Sequence, residues 1–491
     1  MTIHLYNTLG KTKQEFKPIN ESEVRLYSCG PTVYYDAHIG NLRAYVFVDI
    51  LKRTLKYNGY KVKHIMNVTD IGHLTSDADD GEDKMVKALK REGKEMTLEN
   101  MRGVADFYFE KFKVDLEKLN IEFPDKFPFA SDHIKESAGM ISVLIQKGFA
   151  YQTSDGIYFD TSKDENYGKL GGISSDNDHS RIEQNTEKKD YRDFALWKFT
   201  RLSPARHASD GKSLADGSPA GSVNGGQGDE SGLGFDASFG KGFPGWHIEC
   251  SAMSEKYLGV PFDIHTGGID HIPVHHNNEI AQTECSTGKT MANFWMHNAH
   301  VTIGTDKMAK SGENFITLKT LGENGIHSLA YRYWLLTSRY STRVDYSLEA
   351  IKASQTAYEK LQSYFNTLEN NGSQTTVDKG YGDRFVEAIN DDLDTPKALA
   401  LVWELVKDSN IGDAEKRAIL LDFDKVLGLM FGSVVKEEIV VPEDVKRLLE
   451  VRLKARSEKN WAESDRIRDQ IKSLGFEVKD VGDIQELTKS I

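Results

Sequence analysis

The sequence predicts an α/β chain, in which a parallel sheet covered on both faces by helices precedes an all-helical C-terminal part. Three observations carry this. Short apolar runs alternate with helical periodicity over the first third of the chain. Strand-like runs return at residues 262–265 and 294–296. Beyond residue 347 the pattern is helical throughout.

Residues 24–28 read as a strand and 29–32 as the loop that leaves it. Leu42, Val46, Ile50 and Leu55 then recur near helical spacing within 39–55, and 61–67 form a second strand candidate. Strands separated by helices place ligands at the strands' carboxyl ends. Residues 202–242 shift to Gly, Ser, Ala and Asp with no visible period, which reads as a flexible surface insertion too poor in apolar side chains to offset the entropy of ordering. Its glycines are no phosphate loop, because no Gly-Lys-Ser/Thr follows a strand there.

In the C-terminal part, residues 350–368 form one helix, 384–389 and 396–406 a helix–turn–helix, and 414–429 a further helix. Residues 437–442 read as a linker before two short helices. Val445, Leu448, Leu449 and Arg452 outline the first, and Ile467, Ile471 and Leu474 the second, with Gly475 as its stop.

A chain of 491 residues exceeds one hydrophobic core, so about two or three domains are expected. With 39% hydrophobic and 28% charged residues the composition is that of a soluble protein. No run approaches the roughly 18 apolar residues of a membrane span, and the first residues lack a basic region followed by an apolar stretch. No membrane association is therefore expected. Cys29, Cys250 and Cys285 are too few for a disulfide framework, which points to a reducing cytoplasm. The net charge of −13 argues against a protein coated in nucleic acid, unless Lys and Arg cluster locally.

Chemistry concentrates in three places. The run Cys29-Gly30-Pro31-Thr32-Val33-Tyr34-Tyr35-Asp36-Ala37-His38-Ile39-Gly40-Asn41 joins a strand to a helix, so unpaired backbone N–H groups face the sheet's carboxyl edge. A phosphate fits there, with His38 as an added donor and Gly40 allowing close approach. The bland alternative is an ordinary turn with a surface histidine. Asp306-Lys307-Met308-Ala309-Lys310-Ser311-Gly312 sets two lysines in a polar stretch, suited to the charge that builds on a departing pyrophosphate; alone it would read as a solvated basic loop. Third, Cys29, Cys250 and the pair His275 and Glu279, four apart on one helix face, make a zinc-type donor set. Buried cysteines and a helical His–Glu pair are the ordinary alternative.

The first two segments together resemble the HIGH and KMSKS signatures of class I aminoacyl-tRNA synthetases. Asn41 stands where the signature ends in His, and Ala309 where it has its first Ser. Residues 26–34, 245–253 and 265–279 narrow the resemblance to the cysteinyl-tRNA synthetase family, over almost the whole chain apart from the insertion. The resemblance implies a Rossmann-like catalytic domain over 1–320, with a connective insertion at about 100–200 and the Gly/Ser-rich segment at 203–242. It implies a stem-contact region and helical bundle over 321–436 and an anticodon-binding domain over 437–491.

It further implies that Cys29, Cys250, His275 and Glu279 hold one zinc ion, to which the substrate thiol binds, with His276 as a rival ligand. Gly30, Thr32, Thr69, Trp246 and His265 would surround cysteine. His38, Gly40, Asn41, Gly267, Gly268, Asp270, Lys307 and Lys310 would bind Mg-ATP, with His38, Asn41, Lys307 and Lys310 catalytic. Zinc prefers a thiolate, so the metal reads the one atom that separates cysteine from serine, a distinction shape makes poorly. Partners implied are ATP, L-cysteine and the cysteine-specific tRNA, with the chain a monomer.

For the tail, Lys446, Arg447, Arg452, Lys454, Arg456, Lys459, Arg466 and Arg468 around Trp461 suit a single-stranded RNA loop. A solvated helical hairpin is the alternative, supported by Glu450, Glu458, Glu463 and Asp465. Two other activities compete: a cysteine-adenylating ligase acting on an amino sugar, and a non-catalytic zinc- and RNA-binding paralogue. Residues 72–83 and the final residues 480–491 carry no family pattern that assigns them a role.

Overall fold

The computed structural model describes residues 2–71, 84–172, 187–200, 232–304, 306–307, 315–368, 379–432, 442–458, 460–474, 476–481 and 484–489. The chain divides into two compact units, residues 1–431 and 432–491.

The first unit opens with an antiparallel pair, β1 (His4–Asn7) and β2 (Thr12–Glu15). β3 (Glu23–Ser28), α1 (Ile39–Tyr57) and β4 (Lys61–Met66) form a β–α–β unit whose strands are parallel. Next come α2 (Lys84–Arg91), α3 (Leu98–Lys118) and α4 (Ile134–Gln146). They are followed by β5 (Ala150–Gln152), β6 (Gly156–Phe159), β7 (Phe194–Phe199) and β8 (Gly242–Pro244), one antiparallel sheet in that order. α5 (Trp246–Leu258), β9 (Phe262–Gly268), α6 (His275–Thr287) and β10 (Ala292–Asn298) return to the parallel sheet, whose order is β10-β9-β3-β4. A small sheet has the order β12-β11-β13, from β11 (Val301–Ile303), β12 (Asp306–Lys307) and β13 (Val344–Asp345). The helices α7 (Leu318–Glu323) and α8 (Ser328–Leu336) lie between β12 and β13.

The strand pattern explains itself. β3 and β9 are buried along almost their whole length, as strands covered on both faces must be. α1 buries Leu42, Val46, Ile50 and Leu55, the stripe seen in the sequence. The Gly/Ser-rich segment is described from residue 232 onward, and that part is ordered. Phe235 and Gly242 exchange backbone hydrogen bonds of 2.7 and 2.9 Å, and Phe239 packs edge-on against Trp197 at 5.2 Å. Residues 232–242, expected to belong to the flexible insertion, are thus ordered, and the rest of the expected insertion lies outside the described residues. Aromatic side chains tie the segment to β7.

Helices α9 (Leu348–Thr367), α10 (Lys379–Asn390), α11 (Thr395–Lys407) and α12 (Asp413–Leu427) complete the first unit, and their apolar faces belong to the same buried cluster as β3 and α1. Arg332 on α8 joins them. Its guanidinium is fully buried and donates to Asp49 Oδ2 at 2.6 Å, Leu427 O at 2.8 Å and Leu119 O at 2.9 Å. One side chain therefore links α1, α3, α8 and α12.

The second unit pairs α13 (Glu443–Ser457) with α14 (Trp461–Ser473), and adds a hairpin of β14 (Phe476–Val481) and β15 (Ile484–Lys489). Phe476 and Val478, alternate residues of β14, join Val445, Ile467 and Ile471 in its small core. Arg452 is 2% exposed. It belongs to the packed face of α13, and so leaves the group of basic residues expected around the exposed Trp461. Lys459 and Gly475 lie outside the described residues, as do residues 72–83. Among the described residues no helix is long and apolar enough to cross a membrane.

Replacing Arg332 with Ala leaves Asp49 with Arg53 and the Glu122 N–H as partners but takes a donor from the Leu119 and Leu427 carbonyls, and should remove about 3 kcal/mol of stability, seen as a lower thermal midpoint in calorimetry. Arg332→Met, which refills the volume, should lose less than Arg332→Ala.

Candidate metal centre and substrate cleft

In the parallel sheet, β4 lies outside β3 and β10 lies outside β9. The crossovers from β3 and β9 therefore leave in opposite directions, and a crevice opens at the carboxyl ends of these two strands. Cys29 follows β3 directly, and its N–H donates to Thr266 O on β9 at 3.1 Å. Gly30 donates its N–H to Asn67 Oδ1 at 2.8 Å, and a Cβ on Gly30 would lie 1.7 Å from Asn67 O. Only glycine allows that approach. Val33 N–H to Thr69 O (3.1 Å) and Thr69 N–H to Pro31 O (3.0 Å) then bring Thr32 beside Thr69.

A cleft of about 290 Å³ occupies this crevice, near the lower end of small-ligand sites. Gly30, Thr32, Thr69, Trp246 and Asp270 line it, with Cys29, Cys250 and His275. Four of the five residues expected around cysteine thus face one space. His265 does not. It is fully buried, its Nε2–H donating to Glu279 Oε2 at 2.8 Å.

Cys29, Cys250, His275 and Glu279 offer donor atoms that all lie within 4.8 Å of one another. α5 supplies Cys250 and α6 supplies His275 and Glu279 from adjacent turns. His275 Nε2 is 2.9 Å from Glu279 Oε1, and its Nδ1 is 2.8 Å from His247 Nδ1. The second nitrogen of the ligand ring is thereby held, as metal-binding histidines require. Trp246 stacks on the His275 ring at 4.1 Å and fixes its plane.

A second set satisfies the same distance test: Cys29, His265, His276 and Glu279. His276 Nε2 lies 3.3 Å from Cys29 Sγ, and its Nδ1 is 2.7 Å from His297 Nε2. The two sets share Cys29 and Glu279 and differ in softness and access. The first holds two sulfurs and three of its members line the cleft, whereas His265 and His276 do not line it. An ion held by the first set is reachable by a ligand in the cleft. Two thiols, one imidazole and one carboxylate also fit zinc by donor type.

Electrostatics charge Glu279, Cys250 and His275 and keep Cys29 a neutral thiol. Burial raises the Glu279 carboxyl, but His265 and His275 overcome it and hold the group down at about 2. Burial likewise opposes charge on His275, but Glu279 and Cys250 lift it to about 10. The Cys29–Cys250 hydrogen bond lowers the Cys250 thiol, while burial and that same bond push Cys29 well up. Burial drives His247, His276 and His297 well below the usual histidine range, so these rings are neutral at pH 7.

At the other end of the same loop, His38 is the N-cap of α1. Its Nδ1 accepts the Asn41 N–H at 3.1 Å, and its own N–H donates to Asn41 Oδ1 at 3.4 Å. This reciprocal capping box explains an asparagine at position 41. The accepting Nδ1 places the ring proton on Nε2. Gly40 sits in the first turn of α1. At the end of β9, a Cβ on Gly267 would come within 2.6 Å of His276 Cε1, so the glycine lets α6 close on the strand. Gly268 and Asp270 follow, and Asp270 reaches the cleft. Lys307 belongs to β12, whose backbone alone is described, and Lys310 lies outside the described residues.

Sequence reasoning missed His247 and His297 behind the donors and weighed His276 only as a rival ligand. His247, His276 and His297 orient or surround the candidate ligands, and Thr8 Oγ1 closes the chain 2.7 Å from His297 Nδ1. Their signal was density: His247, His265, His271, His275, His276 and His297 fall within 51 residues (247 through 297). In the second unit, Trp461 is 56% exposed with Arg456 5.7 Å from its ring, while Arg466 and Arg468 pair with Glu463 and Asp465.

Fold and crevice define the class. Residues 15–217 and 226–356 match the family model described as the class I (C) tRNA synthetase catalytic domain, and residues 384–434 match a DALR domain. Two solved synthetases share the fold. The Agrobacterium radiobacter LeuRS in complex with tRNA superposes with a TM-score of 0.55 at 10% identity, covering 85% of this chain and 84% of that one. Methionyl-tRNA synthetase from Mycobacterium tuberculosis, bound to methionyl-adenylate, gives 0.53 at 15%, covering 83% and 90%.

Sequence comparison is narrower. Residues 440–487 match the cysteinyl-tRNA ligase anticodon-binding domain. Cysteine–tRNA ligase 1 of Burkholderia lata is 42% identical, over 99% of this chain and 97% of the relative. The enzyme of Treponema denticola is 38% identical over 98% of both. The chain belongs to the cysteine–tRNA ligase family.

Gly30→Ala should push the Cys29 loop off Asn67. We expect a fall of about 10–100-fold in the affinity for a divalent metal, the range for losing a supporting contact, measured by competition with a chromogenic chelator. Unchanged affinity would show that the close approach is not needed.

Proposed function

We propose that this protein activates L-cysteine with ATP and transfers the cysteinyl group to the 3′ end of the cysteine-specific tRNA, as a cytoplasmic monomer. The observation that carries this reading is the convergence of Cys29, Cys250, His275 and Glu279 on a class I cleft. The donor types suit one zinc ion. When bound, it supplies a thiophilic Lewis acid that distinguishes a thiol from a hydroxyl.

The chain's own groups do the rest. Glu279 is oriented by His265, and His275 by His247 and Trp246, so the donor set is held before substrate arrives. Gly30, Thr32, Thr69 and Trp246 shape a space for a small amino acid, with its carboxylate toward the loop that ends in His38. That carboxylate attacks the α-phosphorus of Mg-ATP, a new carboxyl C–O–P linkage forms, and the bond to pyrophosphate breaks. His38 donates from Nε2 to a phosphate oxygen. Lys307 and Lys310 balance the charge on the departing pyrophosphate. Gly267, Gly268 and Asp270 hold the adenosine, Asp270 accepting from a ribose hydroxyl. The terminal 2′-hydroxyl of the tRNA then takes the cysteinyl group and AMP leaves. Asn41 serves through the capping box that fixes His38.

Chelation of the metal should raise the KM for cysteine far more than the KM for ATP in pyrophosphate exchange; an equal rise in both would contradict the selector role. Lys310→Ala should slow exchange by about 10²-fold or more, as for loss of one transition-state donor, with cysteine affinity nearly unchanged. An unchanged rate would remove Lys310 from the mechanism.

A further inference from the structure

Arg43 lies on α1, five residues beyond the N-cap His38 (43 less 38), and is 3% exposed. Burial lowers its guanidinium to about 10, so it remains charged at pH 7. Its donors go to backbone carbonyls of the segments that lead into the small sheet. One terminal nitrogen donates to His300 O at 2.7 Å. The other reaches Arg339 O and Tyr340 O, each at 3.2 Å, and Thr342 O. His300 directly precedes β11, and Thr342 stands two residues before β13 (344 less 342). Phe47, one turn further along α1, stacks on Tyr340 with ring centroids 4.4 Å apart.

Most of these carbonyls have backbone donors without Arg43. Val344 N–H donates to His300 O at 3.2 Å, Ala299 N–H to Tyr340 O at 2.9 Å and Thr342 N–H to Arg339 O at 3.0 Å. The two segments therefore close on each other by themselves, and each carbonyl has a lone pair for a second donor. What Arg43 adds is a link from α1 to both segments at once. A planar fork of N–H groups spans the two, which the compact ammonium of lysine does not.

The consequence falls on β11. It pairs in parallel with β13 and, on its other edge, antiparallel with β12, where Thr302 faces Lys307. Thr302 is two residues beyond His300, so the bond at His300 fixes the strand against which Lys307 is paired. On the far side of β12, Ile39 N–H donates to Ile316 O at 2.8 Å, and Tyr331 Oη donates to Ile39 O at 2.6 Å. The first two turns of α1 are thus tied to the chain before and after β12. Arg43 itself does not line the cleft.

The geometry points to Arg43 as a positioning residue for adenylation: it holds the β11–β12 hairpin, and with it the backbone of Lys307, in place relative to the His38 end of α1. The inference rests on the proposed activity and on the part given there to Lys307. Displacing a charged group by about 1 Å costs on the order of 10²-fold in rate, even when the altered side chain is remote from the chemistry.

The test measures cysteine-dependent pyrophosphate exchange in Arg43→Lys and Arg43→Gln, each alone and combined with Lys307→Ala. Each Arg43 variant alone should lose about 10–100-fold in kcat. The KM for cysteine and the affinity for a divalent metal should stay within about twofold of wild type. In the Lys307→Ala background the same substitutions should cost less than about twofold more, because the group they displace is already gone. A full loss in that background would show that Arg43 acts independently of Lys307 and would overturn the proposal. So would an unchanged kcat, a KM for cysteine that rises in step with the fall in kcat, or failure of both variants to fold by circular dichroism. Absence of exchange in the wild type would instead defeat the proposed activity, and a Lys307→Ala enzyme as fast as wild type would remove that lysine from it. Both of these failures are seen before Arg43 is altered.

Discussion

The parallel pairing of β3 with β9 is the contact on which the site depends. It sets residues 26–28 beside 264–266 and closes with the hydrogen bond from Cys29 N–H to Thr266 O. A thiol from the first strand–helix turn is thereby fixed against helices α5 and α6, more than two hundred residues further along (250 less 29 is 221). Neither half of the sheet holds a complete donor set. The crevice exists because the two crossovers diverge here, and the donors meet because the same two strands bound it.

Glu279 is the hinge of the local electrostatics. One carboxylate oxygen faces His275 and the other His265, so two imidazoles offset the cost of burying a negative charge. The outer histidines are neutral and continue the hydrogen bonds, through His297 to Thr8 on one side and to His247 on the other. Held in this way, the donors need little rearrangement to bind a cation. At the far end of the loop the capping box of His38 and Asn41 gives the nucleotide end of the cleft the same preorganisation.

Much of this was legible in the sequence. The strands at 24–28 and 262–265 and the α1 stripe follow from apolar periodicity, and the His275–Glu279 spacing places both on one helical face. Family resemblance supplied the long-range partner, Cys250, which no local pattern could. Three things were hidden. The role of His265 depends on which way a buried strand residue points relative to α6, a tertiary fact. Asn41 looked like a departure from a motif, because a capping box is visible only once the helix boundary is known. Arg452 read as one more exposed base, since the periodicity of α13 marked its face without saying that the face is buried. The hairpin β14–β15 was also missed, because charged residues interrupt its short apolar alternation in the sequence.

The central claim is that one zinc ion sits on Cys29, Cys250, His275 and Glu279 and not on the alternative set of Cys29, His265, His276 and Glu279. X-ray absorption at the zinc edge separates them, because the sets differ in sulfur count. The account predicts a first shell with two sulfur scatterers at about 2.3 Å and the remainder nitrogen or oxygen at about 2.0–2.2 Å. Loss of one of the two sulfurs in Cys250→Ser should follow. A single sulfur in the unaltered protein, unchanged by Cys250→Ser, would contradict the assignment.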